Sequence, residues 1–371
     1  MPWLSRVEVA KHFKAPDFVA DLAPRAGEPF RHLVLTGPNG SGKTTILRAV
    51  TAWMAEAMRP PFERGAADTP FVLRLTWQPD TEVSASWQGD RFVAISLEAT
   101  RRVDMLPVEG PKAQQFSNEL PGDPRAGEFE QWLVNQHVQA RLAQPDEPAA
   151  AQAIFAWLER FDRGLAELFD VPGLRLEFQR RGYDLQFVEP SGLRYGFAEL
   201  PSGYASVLQI LAEIALRVDA LGLAERDDLS GVVVIDEIDA FLHPALQERI
   251  LPFLVRVYPR LQFVVSTHSP AVATSLSDAV VVALGTGQAF DAETLVGTPY
   301  GELLTTLFGI ETDVDLQSTR ELHELQRLFE QPSRSTAEEA RLKALANALR
   351  RTRHPLALEI WLALNAEPEP A

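Results

Sequence analysis

The sequence contains no cysteine and very little lysine. Without cysteine, the chain has no disulfide bonds, no thiolate metal sites and no cysteine nucleophile. The lysines are Lys11, Lys14, Lys43, Lys112 and Lys343, so nearly all of the 35 basic residues are arginine. Against that background, a lysine at a chemically demanding position is informative.

Long hydrophobic runs are also lacking, and no segment is long enough to cross a bilayer. The first residues, MPWLSRVEVAKHFK, have neither the apolar block nor the small-residue cleavage site of an export signal. We therefore expect no membrane association and a cytoplasmic location.

Positive charge is in deficit, with 35 basic residues against 51 acidic ones and a net charge of -16. This balance argues against a surface that coats nucleic acid by bulk attraction, but it leaves a local basic groove open. The 371 residues, of which 46% are hydrophobic, suit one large domain or two modest ones.

The clearest motif is GPNGSGKTTIL, which begins at Gly37. Residues 32–36 read as a buried strand and Thr44–Met58 as a helix, so the glycines lie between a strand and a helix, as a phosphate-binding loop (Walker A) requires. The residues expected to bind the nucleotide are Gly37, Pro38, Asn39, Gly40, Ser41, Gly42, Lys43, Thr44 and Thr45.

The chemistry of this loop is specific. Its glycines let backbone N–H groups converge on phosphate oxygens, Lys43 bridges the outer phosphates, and the Thr44 hydroxyl holds Mg²⁺. The sequence therefore predicts ATP and Mg²⁺ as cofactors.

A second motif, VVVIDE, ends a continuous apolar strand that begins at Gly231. Parallel sheets place ligands at the carboxyl ends of their strands, so Asp236 is predicted to reach the Mg²⁺ shell. Glu237 is predicted to polarise the water that attacks the γ-phosphate.

Two further positions complete the candidate site. His268 ends the apolar strand in LQFVVSTHS, where its imidazole could hydrogen-bond the γ-phosphate or the water. Ser202 and Gly203 begin a long helix, and the N–H groups and dipole at a helix start form an anion site.

The fold expected from strands that alternate with helices is α/β, with right-handed crossovers. From Phe71 to Leu97 we expect a small antiparallel sheet, and from 106 to 127 a loop. Helices are predicted over Glu128–Leu142, Ala149–Phe169 and Ser202 to about Leu221, short strands over Leu174–Leu200, and a helical tail from Thr312.

The order of these motifs resembles the ABC-type ATPases, whose P-loop fold has a mixed sheet, a helical lobe and, here, a short C-terminal helical tail. The resemblance implies a head over 1–310, with its core at 1–100 and 196–310 and an inserted lobe at 101–195, and a tail at 311–371. It also implies a dimer that sandwiches ATP.

In that dimer, Ser202 and Gly203 act on the ATP of the second subunit, Glu237 is the base, His268 is the switch histidine, and residues 238–244 are the D-loop. The chain departs from the family pattern in reading LPSGY where LSGGQ is usual. Gln78, Gln114 and Gln115 are all candidates for the Q-loop glutamine.

DEIDAFLHP and STHSP are similar to the SMC, RecF and OLD-like branch, which includes the ATPases of antiphage systems such as PARIS, Septu and retrons. Transport is disfavoured because no membrane segment is present. SMC-type arms are disfavoured because no long heptad run occurs between Thr45 and Glu199, and the residues after Ile310 are too few for a nuclease domain.

We expect an ATPase subunit that dimerises around ATP, hydrolyses it slowly or on stimulation, and scaffolds or regulates a separately encoded effector, for instance a nuclease, in antiphage defence. The alternative is a DNA-sensing or DNA-repair ATPase that acts directly on DNA. Its candidate contacts are Leu349–His354 and Arg101 with Arg102, although a solvated helix face explains both.

Overall fold

The structure is a computed structural model of the chain, and it describes residues 2–25, 29–59, 69–79, 91–100, 106, 108, 110–114, 126–220, 230–310, 316–350 and 355–365. The chain divides into two compact units, Met1–Thr298 and Pro299–Ala371. The predicted boundaries, with a tail that begins at 311 and an inserted lobe over 101–195, stay predictions.

The strands of the described residues all lie in the first unit. They are β1 (Trp3–Ala10), β2 (Phe18–Asp21), β3 (His32–Thr36), β4 (Val72–Gln78), β5 (Phe92–Leu97), β6 (Arg175–Gln179), β7 (Asp184–Val188), β8 (Arg194–Tyr195), β9 (Ser230–Ile235), β10 (Leu261–Ser266), β11 (Ala279–Ala283) and β12 (Gln288–Asp291).

The helices are distributed over both units. They are α1 (Lys43–Met58), α2 (Phe129–Ala143), α3 (Pro148–Leu168), α4 (Ser202–Ala220), α5 (Pro244–Val257), α6 (Pro270–Ala273), α7 (Tyr300–Phe308), α8 (Leu316–Glu330), α9 (Thr336–Leu349) and α10 (Pro355–Asn365).

The central sheet has six strands in the order β12-β11-β3-β10-β9-β5. The strands from β11 to β5 are all parallel, and β12 is antiparallel to β11 at one edge. Every residue of β3, β9, β10 and β11 is buried, as continuous apolar strands with helices on both faces should be. This mixed sheet confirms the predicted α/β class.

Parallel pairing sets the position of the candidate site. Because β3, β9 and β10 are neighbours that run in one direction, the loops that come after Thr36, Ile235 and Ser266 emerge at the same edge of the sheet. The three sequence motifs meet there for topological reasons.

The predicted small antiparallel sheet over Phe71–Leu97 is only partly correct. β4 does belong to an antiparallel sheet, but its partner is β1, in the order β2-β1-β4. β5 instead pairs in parallel with β9 as the edge strand of the central sheet. Its nearly unbroken burial suits that position better than a solvated sheet would. Residues 80–90, for which the sequence predicts a further strand, lie outside the described part of the chain.

A lobe of α2, α3 and the antiparallel sheet β6-β7-β8 stands between β5 and α4 in the sequence. The predicted helices match α1, α2, α3 and α4 to within one or two residues at each end. Aromatic side chains of α2 and α3 pack together, with the Trp132 and Trp157 rings 5.1 Å apart and nearly perpendicular. The lobe therefore has an apolar core that a purely polar insertion would lack.

The second unit is helical, as predicted for the tail, and has its own core. Leucines of α8 and α9 pack with Ala357 and Ile360 of α10. Ser335 begins α9 with a capping box, in which its hydroxyl accepts from the Glu338 N–H at 3.3 Å and the Glu338 carboxylate accepts from the Ser335 N–H at 2.8 Å. Within the described ranges, no helix combines the length and the apolar character that a membrane span would require.

Candidate functional site

The glycine loop, residues 37–44, connects β3 to α1 with three glycines in the left-handed region. Gly37, Gly40 and Gly42 have φ values of 141°, 76° and 103°. Residues with a Cβ rarely adopt these angles, so glycine is required for this path. The path leaves a concave backbone surface that side chains would otherwise fill, as a phosphate cradle needs.

Lys43 lies inside this loop rather than on its surface. Its Nζ donates to the carbonyl oxygens of Gly37 at 2.8 Å and Pro38 at 3.1 Å. Burial lowers the pKa of Lys43, and the nearby carboxylates of Glu237, Asp236 and Asp239 act in the opposite direction. The ammonium group is thus desolvated and held beside the acidic residues of the neighbouring strand.

Asp236 directly follows β9 and contacts the glycine loop. Thr44 Oγ1 donates to Asp236 Oδ2 at 2.7 Å, and Ser266 Oγ donates to Asp236 Oδ1 at 2.5 Å. A threonine hydroxyl and one carboxylate, together with phosphate oxygens, form the sparse oxygen set that Mg²⁺ accepts in nucleotide sites. The predicted metal ligands are therefore adjacent, and their chemistry fits the ion.

Glu237 occupies an unfavourable backbone conformation, with φ at 48°. Its N–H donates to Ser266 Oγ at 2.7 Å, and its carboxylate stays partly exposed. Left-handed geometry at a residue other than glycine costs about 1–3 kcal/mol and persists where surrounding contacts enforce it. Here Ser266 is one such contact, because its buried hydroxyl bonds to both acidic residues.

His268 lies at the end of β10, opposite Glu237, with its Nε2 3.7 Å from Glu237 Oε1. Burial and the Lys43 charge lower the pKa of His268, although the three acidic residues partly oppose them. The imidazole is therefore mainly neutral at pH 7, and the contact with Glu237 is not an ion pair at that pH.

Asp239 joins the loops that carry Glu237 and His268. Its Oδ1 accepts from Thr267 Oγ1 at 2.6 Å and from the His268 N–H at 3.2 Å. Ser266 is not among the site residues predicted from the sequence, and Asp239 is included there only as part of the predicted D-loop, residues 238–244. A polar side chain two positions beyond DE and a serine that ends a buried strand were the available signals, and neither is specific.

The loop between β1 and β2 packs against the glycine loop and is likewise absent from the predicted site. His12 is buried, and its Nδ1 accepts from the N–H groups of Lys14 at 3.1 Å and Ala15 at 2.9 Å. Phe13 next to it is 62% exposed, and Lys14 Nζ lies 3.6 Å from the place where a Cβ at Gly40 would be. This loop thus offers a free ring face and a cation beside the cradle.

Gly42→Ala is expected to disrupt the cradle. A methyl group there would come within 2.4 Å of His12 Cε1, in addition to the strain at a φ of 103°. Strain and overpacking together cost about 3 kcal/mol or more. We expect a lower melting temperature and loss of ATP binding, measured by calorimetry.

Two neighbouring variants serve as controls for Gly42→Ala. Gly40→Ala adds strain without a clash, and Gly285→Ala places its methyl at an ordinary 3.7 Å from Pro38 Cδ. We expect an intermediate effect for the first and almost none for the second. Equal stability of all three variants would contradict the packing of His12 against Gly42.

The start of α4 presents unpaired backbone donors. Its preceding residue is Pro201, which has no side-chain oxygen to cap the helix, and Ser202 is exposed. In the described part of the structure, the N–H groups of Ser202, Gly203 and Tyr204 have no hydrogen-bond acceptor. We name these three residues the α4 tip, and its free N–H groups fit an anion.

The α4 tip is fixed to the loop that comes after Glu237. A Cβ at Gly203 would lie 3.2 Å from the carbonyl oxygen of Phe241, and Ser206 Oγ donates to the Ala240 carbonyl at 3.2 Å. No hydrogen bond between described residues connects the tip to the glycine loop of the same chain. The structure thus brings the tip near the acidic loop but not onto its own cradle.

Tyr204 accounts for the unusual LPSGY sequence. Its ring stacks on Phe169 of the lobe with centroids 3.8 Å apart, and its hydroxyl donates to the Phe169 carbonyl at 3.2 Å. The bulky side chain is therefore turned toward the lobe and leaves the N–H groups of the tip uncovered.

The candidate Q-loop glutamines lie away from this site or outside the described residues. Gln78 pairs with Trp3 in the N-terminal sheet. Gln114 bonds through its side chain to Glu128 and Asn135. Gln115 is not described, so the Q-loop assignment stays open.

The chain is similar in sequence to several known proteins. Residues 133–274 match the family described as "AAA domain, putative AbiEii toxin, Type IV TA system". The retron Ec83 probable ATPase of Escherichia coli is 35% identical over 125 residues, which are 33% of this chain and 23% of that protein. The Septu protein PtuA of Bacillus thuringiensis is 22% identical over 333 residues, 75% of this chain and 78% of that protein.

The solved structures to which the chain is similar include SMC head domains. The Smc head of Pyrococcus furiosus bound to the C-terminal domain of ScpA is 14% identical, with coverage of 79% of this chain and 98% of that chain and a TM-score of 0.41. The SMC head of Thermotoga maritima is 15% identical, with coverage of 77% and 97% and a TM-score of 0.36.

The class is thus an α/β fold in which residues 133–274 are similar to an AAA domain. More particularly, the chain is similar to a retron probable ATPase and to the Septu protein PtuA, which confirms the predicted resemblance. The matched part of the chain spans less than a quarter of the E. coli retron ATPase, at 23%.

Proposed function

We propose that this chain binds and hydrolyses ATP with Mg²⁺, and that two copies enclose each ATP between the glycine loop of one and the α4 tip of the other. The observation that carries the proposal is the 2.7 Å bond between Thr44 and Asp236, which joins the loop and the acidic strand at one sheet edge. The retron and Septu similarities support the ATPase assignment.

The residues present suit each part of the substrate. Glycine-loop N–H groups and Lys43 would hold the phosphates, and the hydroxyl of Ser41, which is buried without a partner in the described structure, is a further donor at the loop. Phe13 offers its exposed ring to the base, and Lys14 adds positive charge at the rim.

The acidic residues divide the chemistry between them. Thr44 and Asp236 would hold Mg²⁺, which neutralises phosphate charge when bound. Glu237, oriented by Ser266, would accept a proton from the attacking water. A mainly neutral His268 opposite it would donate to or accept from the same water, or donate to a phosphate oxygen.

The second copy is proposed because the α4 tip has unpaired donors and no hydrogen bond to its own cradle among the described residues. A symmetric pair would bring each tip to the partner's cradle, where the helix dipole and free N–H groups stabilise the outer phosphates. Retention of ATP at such an interface would couple nucleotide state to assembly.

We also assign this ATPase to antiphage defence, where it would scaffold or regulate a separately encoded effector. The similarity to retron and Septu ATPases supports this assignment. The helical unit at Pro299–Ala371 is the proposed docking element, since it has a core of its own and contains none of the residues assigned to ATP.

A mixing experiment tests whether the site is shared. Lys43→Ala removes the cradle lysine, and Ser202→Glu places a negative charge at the exposed tip; each variant alone should be inactive. In a 1:1 mixture, half of the dimers combine the intact cradle of one chain with the intact tip of the other, so about a quarter of wild-type turnover should return. Turnover no higher than that of the separate variants would contradict the shared site.

A further inference from the structure

A second charged feature lies in the lobe, at the turn between β6 and β7. The turn reads Arg180-Arg181-Gly182-Tyr183, and both arginines are exposed. Arg141 of α2 approaches the same turn. We call Arg141, Phe178, Arg180, Arg181 and Tyr183 the hairpin patch.

In the part of the chain that the structure describes, the three arginines of the hairpin patch have no acidic partner. Among the described residues, none of them forms an ion pair, whereas many other arginines of the chain do. Acidic residues outnumber basic ones by 51 to 35, so three neighbouring arginines without an ion pair are unexpected by composition alone. An anion from outside the chain would balance them.

Arg141 is held in place by neutral groups. Its guanidinium lies 5.2 Å from the ring centre of Phe178 and 5.8 Å from that of Phe155, and its Nη1 donates to the His137 carbonyl at 2.8 Å. Burial, and secondarily repulsion from the charge of Arg180, lower the pKa of Arg141. An anion placed between them would relieve this repulsion.

Aromatic rings adjoin the cations. Phe178 stacks on His137 at 5.1 Å with ring planes 5° apart, and Tyr183 lies 6.4 Å from Phe178. Tyr183 is 37% exposed, although a tyrosine ring is large and usually more buried. A partly exposed aromatic ring beside arginines is the combination by which proteins bind single strands, through base stacking and phosphate contacts.

We propose that the hairpin patch binds single-stranded nucleic acid, with its arginines on the phosphates and Tyr183 stacked on a base. An acidic peptide would satisfy the arginines but would have no planar base for the ring. Because the net charge of -16 repels polyanions at long range, binding must come from local contacts of this kind. The proposal is independent of the ATPase assignment.

The test measures binding of the full-length protein to fluorescent 20-nucleotide oligo-dT and oligo-U by anisotropy, from 50 to 200 mM salt. The double variant Arg180→Gln with Arg181→Gln should bind at least about tenfold more weakly. The slope of the log binding constant against the log salt concentration should fall in magnitude by about 1.4, at about 0.7 for each phosphate that is no longer neutralised. Binding of either oligonucleotide supports the proposal, and the stronger one identifies DNA or RNA as the source.

The matched control is Arg160→Gln with Arg163→Gln, which removes the same charge from exposed positions on α3 in the same lobe. It should leave binding within about twofold of the wild type, since salt screens exposed charges that make no direct phosphate contact. An equal loss of oligonucleotide affinity in both double variants would show that only the net charge matters, and it would overturn the proposal.

Variants of Tyr183 distinguish the contribution of base stacking from that of charge. Tyr183→Ala should weaken binding at least about fivefold with an unchanged salt slope, and Tyr183→Phe should bind like the wild type. Melting temperatures and ATP affinity of all variants confirm that the fold is intact. No wild-type binding at 50 mM salt, or competition by polyglutamate as effective as by oligonucleotide, would overturn the proposal and, in the second case, favour an acidic protein partner.

Discussion

Glu237→Gln should lower ATP turnover by about 10²–10⁴-fold while ATP binding is retained. The amide keeps the size and the left-handed backbone position of the side chain, but it cannot accept a proton from water. Because the phosphate contacts and the α4 tip are unaffected, ATP should stay in place, and the dimer should accumulate on size exclusion with ATP and Mg²⁺.

The two readouts for Glu237→Gln test different claims. Turnover equal to the wild type would exclude Glu237 as the base, whatever the oligomeric state. A monomer in the presence of ATP and Mg²⁺ would instead contradict the shared site. Glu248→Gln makes the same chemical change on the exposed side of α5 and should alter neither quantity.

Lys43→Ala should weaken ATP binding by about 100-fold or more. Loss of one buried charged partner costs about 2–5 kcal/mol. In the wild type, ATP at 100 times its Kd should add about 2.7 kcal/mol to the free energy of unfolding, and this gain should disappear in the variant. Thermal melting with and without ATP and Mg²⁺ measures both.

Lys43 also donates to two carbonyl groups of its own loop, so the variant will melt somewhat lower without nucleotide. The relevant quantity is therefore the change in melting temperature when ATP and Mg²⁺ are added. Lys343→Ala, in the second unit, provides a control for the loss of one lysine. If ATP stabilised the Lys43→Ala variant as much as the wild type, Lys43 would be excluded as a nucleotide-binding residue.

The position of the candidate site was largely predictable, because its residues come directly after strands whose apolar sequences predict burial. β3, β9 and β10 are continuous apolar runs, and parallel strands place the residues at their carboxyl ends along one edge of the sheet. Gly37, Asp236 and His268 therefore converge without any knowledge of distant contacts. Helices such as α4 were predictable from their period and length.

Residues that act through contacts between distant segments were not predictable. His12 reaches the glycine loop only because the connection between β1 and β2 packs against Gly42. Ser266 is informative only once its bonds to Asp236 and Glu237 are seen. The position of β5 depended on Gly231, where any Cβ would come within 2.2 Å of the Val93 carbonyl oxygen. Such a close contact between strands produces no periodic pattern of residues from which it could be predicted.

The bonds of Asp239 have a mechanical consequence for the neighbouring loops. One carboxylate holds both the Thr267 hydroxyl and the His268 N–H while it sits two residues beyond Glu237. Because these bonds connect the loop after β9 to the loop after β10, a displacement of one loop would move the other. In the proposed dimer, a partner that arrived at or left the α4 tip would thus shift the Glu237 carboxylate and the His268 imidazole in concert, which would give assembly a direct mechanical route to the candidate site.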